Sequence, residues 1–421
     1  MKTNPCRAAN ILLPSRALIE QGKWAAIACD QFTSEPAYWQ EAEAIVGDAP
    51  STLRMMLPEV YLQATAERLP AIHEAMRDAL DHHLICHENA MIAVARTQSD
   101  GRVRHGLVAK IDLEQYDYTK GCTALIRATE GTVLERIPPR VAVRRDATLE
   151  MPHVMLLIDD PEATVLEPLF AEDTPHEIAY DTDLMLGGGH ITGHFLTQEE
   201  QTRVLGALDA LVTPQAMADR YGDEALAPLL FAVGDGNHSL ATAKAAFEEI
   251  KAVIGEDAAA SHPARYALVE IVNLHDEALS FEPIYRVMFG VDPLDVLASL
   301  RAYVADLDGT AAPQCVRVVG VEGEPEVVID RPVQQLTVGT LQTFIDEYLS
   351  AHLEAEVDYI HGEDSTTALA SAPDAIGFLF GGMEKSQLFR TVIYDGALPR
   401  KTFSMGHARD KRYYMECRKI K

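Results

Sequence analysis

The apolar positions of the chain recur at two spacings that alternate from one end to the other. Ile72, Met76 and Leu80 lie four residues apart, on one face of a helix. The short apolar run at residues 154–158 is typical of a buried strand. Because the two patterns alternate, the sequence predicts an α/β fold with α+β mixed sheets.

Several elements are predicted in detail. Residues 91–96 and 103–111 predict two strands joined by a turn at Ser99-Asp100-Gly101. A capping box at residues 197–200 predicts the start of a helix. Further strands are expected at 266–272, 284–289, 316–319, 327–329, 375–380 and 413–420. Further helices are expected near 293–306 and 338–352, and another follows a cap at Thr33 or Ser34, with Pro36 in its first turn. A loop is expected at 257–261.

One segment combines three signals in a row. The apolar run 229–233 predicts a buried strand, and glycines in 234–238 predict a loop. Leu240, Ala243 and Phe247 then form an apolar stripe, which predicts a helix over 239–254. The whole segment is therefore a strand–loop–helix unit.

The length predicts more than one hydrophobic core. A chain of 421 residues exceeds the usual size of one core, so two or three packed subdomains are expected. We predict an N-terminal α/β region at 1–175, a central region at 176–335 that carries the strand–loop–helix unit, and a C-terminal α/β segment at 336–421 that completes the pocket.

The charge restricts the partners. A net charge of −28 repels phosphate backbones and anionic membranes, so we expect a small-molecule substrate, no nucleic acid and no membrane; a homodimer is compatible with the sequence. Residues 400–421 differ, because eight basic and two acidic residues give them a net charge of +6. They form either a solvated tail or a local anion site.

The cysteines and apolar stretches predict a cytoplasmic protein. Six cysteines are scattered along the chain without a C-x-x-C pair, too sparse for a disulfide scaffold. Residues 1–13 lack the apolar core of a signal peptide, and no stretch approaches the roughly 20 apolar residues of a membrane helix.

The main candidate site is Gly234-Asp235-Gly236-Asn237-His238-Ser239. Its glycines allow tight turns and close approach of a ligand, and the start of the following helix suits an anion. Asp235 could hold a cation, His238 could move a proton, and Ser239 could donate a hydrogen bond. The alternative is a simple Gly-rich turn with Asn237 or Ser239 as helix cap. The segment is not a P-loop, since no G-K-S/T follows, and Ser239 stands where a dinucleotide fingerprint needs its third glycine.

A second Gly-rich segment, Gly187-Gly188-Gly189-His190, continues to Gly193-His194. The glycines suit a loop around a ligand and argue against a helix. His190 and His194 have the spacing of helical metal ligands, but no H-E-x-x-H is present. The histidines are therefore either a metal pair or incidental residues of a flexible loop.

Two further segments carry charges suited to an anion. Arg127 can clamp a phosphate or carboxylate, and Glu130 close by could act as a base. An ordinary surface ion pair is the alternative. Lys401 opens a basic segment with hydroxyls and a glycine, which again suits an anion, and no G-x-S-x-G of a serine-triad elbow occurs.

Together these residues resemble a bacterial family known as domain of unknown function 1015. The matching stretches are residues 113–118, 126–136, 231–244 and 398–417, so the likeness is nearly full-length. The family has no settled activity, and the resemblance therefore implies little chemistry by itself.

A more distant resemblance implies a function. The family's usual D-G-H-H-R loop is similar to the G-x-H-R loop of the ParB and sulfiredoxin superfamily, which opens a helix and binds nucleotide phosphates. Some of its members are kinases of free serine, and others are CTP-binding switches. This chain has Asn237 and Ser239 in place of the first histidine and the arginine. The missing cysteine at 237 excludes sulfiredoxin chemistry, and the missing arginine implies that Arg127 or Lys401 supplies the charge.

This resemblance favours phosphoryl transfer between a nucleotide, ATP or ADP, and a small polar acceptor such as serine or a related hydroxy acid. Asp235 would hold Mg²⁺, residues 236–239 would cradle phosphate, and Glu130 would be the base. His190, Arg127 and Lys401 would neutralise charge. One alternative is a metal-dependent hydrolase with Asp235, His238, His190 and His194 as ligands. The other is a nucleotide-sensing module without catalysis.

Two spatial predictions follow from these roles. Catalytic groups converge from several loops, so the Gly187–His190 loop is expected beside the 234–239 loop. The basic C-terminal segment is expected to fold back on the acidic body, with Lys401 facing residues 235–238. Positive charge has to be brought to the loop, since an acidic body otherwise repels an anionic substrate.

Overall fold

The computed structural model describes residues 4–131, 137–171, 176–223 and 225–421. The end of the 126–136 segment and the predicted border at residue 175 lie outside these ranges. The strands are β1 (Cys6–Arg7), β2 (Ala9–Pro14), β3 (Leu84–Ala90), β4 (Ile92–Thr97), β5 (Val103–Asp112), β6 (Tyr116–Asp117), β7 (Ile126–Arg127), β8 (Leu149–Glu150), β9 (Met155–Ile158), β10 (Ile178–Asp183), β11 (His190–Phe195), β12 (Phe231–Asp235), β13 (Tyr266–Asn273), β14 (Phe281–Phe289), β15 (Gln314–Val319), β16 (Glu326–Ile329), β17 (Glu356–His361), β18 (Ala375–Phe380), β19 (Phe403–Met405) and β20 (Arg418–Lys419).

The α-helices lie between these strands and carry most of the apolar stripes read from the sequence. They are α1 (Arg16–Ile19), α2 (Pro36–Val46), α3 (Thr65–Asp78), α4 (Ile137–Arg145), α5 (Gln198–Ala210), α6 (Pro214–Tyr221), α7 (Asn237–Ile254), α8 (Glu256–Ala259), α9 (Pro293–Ala305), α10 (Thr337–Ala351), α11 (Glu363–Ala370) and α12 (Lys385–Tyr394). The chain is a mixed α/β protein, as the alternating pattern predicts.

The first of two compact units comprises Met1–Ala128, Thr132–Leu279 and His407–Lys421. Its main sheet has the order β10-β11-β4-β5-β13-β9-β12-β7-β6, with β1 added beside β5. The strands from β10 to β13 are antiparallel neighbours, whereas β13 and β9 run parallel. β12 lies inside this sheet, antiparallel to β9 and parallel to β7. The site segment therefore starts from a buried strand.

Both faces of this sheet are covered. Ile92 and Val94 of β4 pack into one apolar core together with the N-terminal segment, whereas Met91 and Ala93 pack into the other with α7. This alternation follows from the two-residue period of side chains along a strand. The sheet is thus the middle layer of the first unit.

The C-terminal residues of the first unit are buried rather than a solvated tail. Arg412 and Glu416 have fully buried side chains, and Arg418 is 5% exposed. Arg412 donates to Glu270 at 2.6 Å and also to Glu416, and Arg418 pairs with Glu150 at 2.7 Å. Arg412 and Arg418 therefore hold this segment on the acidic body.

The second unit comprises Thr129–Gly131 and Ser280–Gly406. Its sheet has the order β16-β15-β18-β14-β17, and β19 pairs with β14. The strands pair in antiparallel fashion, as β14 does with β17 and β18. β18 is buried along its whole length, which places it at the centre of this unit's core.

Most predicted elements are confirmed. The hairpin of β4 and β5, the capping box of α5, β18, and the helices near 293–306 and 338–352 are present. Three predictions are wrong in detail. Residue 35, rather than 33 or 34, precedes α2; residues 256–259 form a short helix; and 413–420 contain only the two-residue strand β20. Residues 413–420 are mostly buried irregular chain, and a buried irregular segment can have the same apolar sequence pattern as a strand.

The predicted borders at 175/176 and 335/336 stay predictions, and the two compact units are not continuous in sequence. β10 and β11 come after residue 175, yet they join β4 in the main sheet of the first unit. Long-range pairing of this kind leaves no local mark in the sequence. Within the described ranges, no helix combines the length and the apolar character needed to cross a lipid bilayer.

Candidate functional site

The candidate site lies where β12 ends and α7 begins. The strand continues to Asp235 and the helix starts at Asn237, so the predicted loop 234–238 shrinks to Gly236. Gly236 has φ +79° and caps the 18-residue helix. A Cβ there would lie 3.1 Å from Val154 Cα, so the position requires glycine for both conformation and space.

Gly234 has a different role from the predicted one. A Cβ at this position would lie 2.8 Å from Leu157 Cγ on the neighbouring strand β9. Gly234 therefore serves close packing inside the sheet.

Asp235 is held at both carboxylate oxygens. Oδ1 accepts a hydrogen bond from the N–H of Gly236 at 2.9 Å, and Oδ2 lies 3.1 Å from Lys411 Nζ. The two side chains are 22% and 16% exposed, so water screens this pair only partly. The basic C-terminal segment thus contacts Asp235 through Lys411, whereas the predicted approach of Lys401 to this loop stays a prediction.

Ser239 occupies the third position of α7 and begins a chain of hydrogen bonds. Its Oγ lies 2.6 Å from His153 Nε2, and His153 Nδ1 lies 2.8 Å from Tyr414 OH. The phenol oxygen of Tyr414 also accepts from the N–H of Cys29 at 3.2 Å. His153 precedes β9, and Tyr414 belongs to the same C-terminal segment as Lys411.

Burial keeps Tyr414 and Cys29, at the far end of this series of hydrogen bonds, neutral. It raises the pKa of the Tyr414 phenol well above its usual range, with the neighbouring Cys29 and Asp30 adding to the effect. It also raises the pKa of the Cys29 thiol to about 12. A neutral phenol can donate to His153 Nδ1 or accept from it, so either tautomer of the imidazole keeps both contacts. Tyr414 therefore fixes the ring, and Nε2 faces the serine hydroxyl.

A cavity of about 180 Å³ opens beside Ser239 and His153. Its wall is largely apolar, and four of its lining residues are methionines: Met55, Met56, Met76 and Met151. The polar part of the wall includes Thr242 of α7 and the Arg140–Glu59 ion pair. Methionine side chains adapt to the shape of a ligand, so this cavity suits a small, partly apolar molecule.

The start of α7 is disposed to bind an anion. The first turn of a helix carries N–H groups outside the intrahelical ladder, and its dipole favours negative charge. Lys411 adds an ammonium group, and Ser239 adds a hydroxyl. His238 is half-buried in the same turn, and its carbonyl accepts from Thr242 Oγ1 at 2.7 Å. Asn237 is the first helical residue, so the cap is Gly236 and neither of the residues predicted as cap.

Arg127 is engaged elsewhere. Its guanidinium donates to the carbonyl oxygens of Ala124, Ala227 and Pro228 at 2.9–3.1 Å, and the residue is 4% exposed. Burial lowers its pKa. These contacts stabilise the chain before β12 and contradict the prediction that Arg127 clamps a phosphate.

His190 lies in another part of the sheet. It begins β11, and its ring contacts Asp183 at 2.7 Å and Asp181 at 2.8 Å on β10. Four strands separate β11 from β12, which is roughly 24 Å measured along the sheet. The sheet order contradicts the prediction that the two Gly-rich loops are neighbours and that His190 serves the site.

The predicted metal pair is not formed either. His194 lies on the same strand as His190, and its ring centre is 4.0 Å from that of His176 in a tilted arrangement. Burial lowers the pKa of His194, and His176 lowers it further. Among the residues that the structure describes, no group of three or more His, Cys, Asp or Glu could hold a metal ion. The ligand set of the metal-dependent hydrolase is therefore not assembled.

Glu130 and Lys401 belong to the second unit. The backbone of Glu130 forms an isolated β-bridge with that of Leu398, and the carbonyl of Lys401 accepts a hydrogen bond from Arg286 at 2.9 Å. Lys401 has φ +55°, which is unusual for a residue with a side chain. Their predicted functions at the loop stay predictions.

Sequence reasoning missed His153, Tyr414 and Lys411. One signal could have found His153: it directly precedes the apolar run 154–158, at the edge where β12 ends. Tyr414 and Lys411 stand in the basic segment already singled out. Nothing local distinguishes them from their neighbours, because tertiary packing decides which side chains face the loop.

The family can now be stated from comparison with known proteins. A model described as "Protein of unknown function (DUF1015)" matches residues 12–415. The chain belongs to the DUF1015 family. The match reaches into both units of the DUF1015 chain and includes every residue of the candidate site, from Cys29 to Tyr414. No curated protein matches the chain.

Solved structures similar to this DUF1015 chain have low scores. A conserved hypothetical protein from Pyrococcus furiosus has a TM-score of 0.34 at 12% identity, covering 75% of this chain and 95% of its own. A free serine kinase in complex with AMP has 0.36 at 9%, covering 74% and 92%. SbnI from Staphylococcus aureus, truncated at its C-terminus, has 0.32 at 10%, covering 71% and 82%. Likenesses at this level carry no inference about chemistry.

Proposed function

We propose that this DUF1015 protein is a phosphotransferase that moves a phosphoryl group between a nucleotide and a small polar acceptor, such as serine or a related hydroxy acid. One observation carries the proposal. The Asp235–Lys411 pair stands at the start of an 18-residue helix, and a serine hydroxyl bonded to histidine follows in the same helical turn. Phosphoryl transfer needs this combination of anion binding, charge neutralisation and proton handling.

The nucleotide, ATP or ADP, binds with its phosphates at the first turn of α7. The helix dipole and Lys411 Nζ offset phosphate charge in an otherwise acidic protein. Lys411 takes the function that an arginine has in the similar loops of the ParB and sulfiredoxin superfamily. Lys401 could add a second charge, as the sequence predicts.

Asp235 is the residue that would hold Mg²⁺. Its carboxylate is the anionic group of the segment, and no protein-only metal cluster exists among the described residues. This donor set fits Mg²⁺, which usually keeps waters and is held by one or two carboxylates together with substrate phosphates. Bound Mg²⁺ would neutralise charge on the phosphate oxygens.

The acceptor occupies the cavity beside Ser239. Its hydroxyl approaches His153 Nε2, which takes the proton, while Tyr414 holds the ring in place from Nδ1. The cavity's volume of about 180 Å³ accommodates an acceptor of amino-acid size and excludes a macromolecule. Glu130 stays a predicted base, and His153 is the group with a hydroxyl already in hydrogen-bond contact.

Calorimetry with ADP and ATP tests the binding step. Lys411→Met is expected to weaken binding about ten-fold, or 1.4 kcal/mol. Lys120→Met, which removes the same charge from an exposed residue outside the site, should leave the affinity unchanged. Lys401→Ala tests the additional charge. Absence of nucleotide binding in the unaltered protein would refute the proposal.

Turnover distinguishes an enzyme from a sensing module. Nucleotide and a panel of hydroxy acids are incubated with Mg²⁺, and phosphorylated acceptor is measured. Asp235→Asn and His153→Gln should each lower kcat roughly 100-fold with the fold preserved. Binding without turnover of any acceptor would leave a nucleotide-sensing protein.

A second candidate function is hydrolysis with Ser239 as nucleophile. The Ser239–His153–Tyr414 arrangement favours it, because a nucleophile, a base and an orienting group are in hydrogen-bond contact. A fluorophosphonate probe decides between the two. Stoichiometric labelling that Ser239→Ala abolishes would favour the hydrolase, and absence of labelling would favour phosphoryl transfer.

A further inference from the structure

A second cavity in the first unit has an unusual charge. It has a volume of about 500 Å³, and its basic lining residues are Lys110, Arg418, Lys419 and Lys421. Asn10 and Ser261 add polar groups, and no aspartate or glutamate is among the lining residues in the described chain. The whole chain has 64 acidic and 36 basic residues, so a carboxylate-free basic cavity stands out against its surroundings.

Residues of several strands form part of the cavity wall. Its wall includes Leu12 of β2, Leu84 of β3 and Tyr266 of β13. Lys110 projects from β5, is half-buried, and has its Nζ 4.5 Å from the centre of the Tyr266 ring. A lysine on a central strand with its ammonium over a ring has little freedom, so its charge is fixed in place.

The charges of the cavity are unevenly compensated. Glu150 pairs with Arg418 at 2.7 Å, and both side chains are 6% exposed, so that guanidinium is neutralised. Lys421 lies 3.9 Å from Asp146, but these side chains are 42% and 74% exposed, and such pairs contribute little. Burial lowers the pKa of Lys110, and repulsion by Arg418 and Arg7 lowers it further. Lys110 is therefore a partly desolvated ammonium group that faces like charges.

We propose that this cavity binds a small molecule with two or more negative charges, carried by phosphate or carboxylate groups. An anion would offset the like charges around Lys110 and receive hydrogen bonds from the ammonium groups that line the cavity. The volume is within the usual range of about 300–1,000 Å³ for small-molecule sites. Arg418 pairs with Glu150 and forms part of the cavity wall.

This anion site is separate from the phosphoryl-transfer site. None of its lining residues lines the cavity beside Ser239. The two cavities adjoin where Arg418 and Lys419 of this cavity pair with Glu150 and Leu149, which line the other one. The proposal therefore stands independently of the function proposed above.

The test is calorimetry with inorganic phosphate, pyrophosphate and citrate as probes, at low and physiological salt. Pyrophosphate or citrate is expected to bind saturably and more tightly than phosphate. Lys110→Met should weaken binding about ten-fold, since it removes one charge-assisted hydrogen bond. Lys120→Met controls for total charge, and Lys411→Met controls for binding at the start of α7.

Three outcomes overturn the proposal. One is no saturable binding of any probe. Another is equal affinity of the Lys110→Met and Lys120→Met proteins, which would leave the lysines as neutralising surface charge. The third is binding that Lys411→Met abolishes and Lys110→Met does not, which would assign the anion to the other site. Thermal unfolding of each variant confirms that it is folded, and Lys421→Met repeats the test outside the strand.

Discussion

The buried pair of Arg412 and Glu270 offers a sharp test of how the C-terminal segment is held. Arg412 Nη1 donates to Glu270 Oε2 at 2.6 Å, and the side chains are 2% and 0% exposed. Arg412→Met leaves two buried carboxylates, Glu270 and Glu416, without their main partner. Because Arg412 precedes Tyr414 and follows Lys411, the substitution should also disturb the site.

The magnitude follows from the burial. Removing one partner of a buried pair costs about 3–5 kcal/mol, because it leaves a buried charge uncompensated. Arg104 Nη2 is 3.6 Å from the other Glu270 oxygen and compensates in part, so we expect roughly 3 kcal/mol. The unfolding midpoint should fall by roughly 3–5 °C, because the unfolding entropy of a protein of this size is large. The exposed pair of Arg16 and Glu20 gives the control: Arg16→Met should change stability by less than about 0.5 kcal/mol.

Urea unfolding followed by tryptophan fluorescence is a suitable assay. Trp24 is 1% exposed, and its Nε1 donates to the carbonyl of Met415 at 2.9 Å, so its emission reports on this segment. If the free energy of unfolding of folded Arg412→Met falls by less than about 0.5 kcal/mol, the reasoning is refuted, because ordinary surface substitutions have effects of that size. Glu270→Gln should also destabilise the protein, and the two losses should not be additive.

The pH dependence of the same pair has a definite sign. Burial alone would raise the pKa of Glu270, but Arg412 and Arg104 outweigh it and lower the pKa. The stabilisation is therefore present above the carboxyl's unfolded pKa and is lost as the pH falls through the folded one. The stability difference between the unaltered protein and Glu270→Gln should shrink below about pH 4.5.

Three further substitutions test other elements. Gly236→Ala should cost about 1 kcal/mol or more, because its φ of +79° and the contact with Val154 disfavour a Cβ; an unchanged urea midpoint would contradict this. Thr197→Ala removes the capping box of α5 and should cost about 0.5–2 kcal/mol, measured in the same way. For His190, hydrogen bonds to Asp183 and Asp181 outweigh burial and raise the pKa, so the stability that His190→Asn removes should be present at pH 6 and lost as the pH rises; equal differences at pH 6 and 9 would refute it.

The sequence predicted where the candidate site lies along the chain, but not which other residues contribute to it. Two glycines between an apolar run and a helical stripe located the β12–α7 junction, because strand burial and helix amphipathicity leave periodic marks. These periodic patterns do not fix the exact residue at which an element begins. The sequence placed the helix start at 239, while Gly236 in the left-handed region allows α7 to begin at Asn237.

The partners of the site came only from tertiary structure. His153 is 86 residues from Ser239 along the chain, and Tyr414 is 261 residues from His153. No local pattern links them, since sheet order brings the start of β9 to the end of β12. Sheet order also separates His190 from this site, although both loops have similar composition.

The sequence by itself determined the α/β class, most helices and strands, the capping box and the family. These features depend on interactions between residues close in the chain, where hydrophobic period and turn chemistry act. Tertiary structure decided that Arg127 bonds to carbonyl groups, that Arg412 and Arg418 neutralise buried carboxylates, and that Lys411 reaches Asp235. The reason is physical: a charged side chain has no preferred partner until folding fixes which charges share a desolvated space.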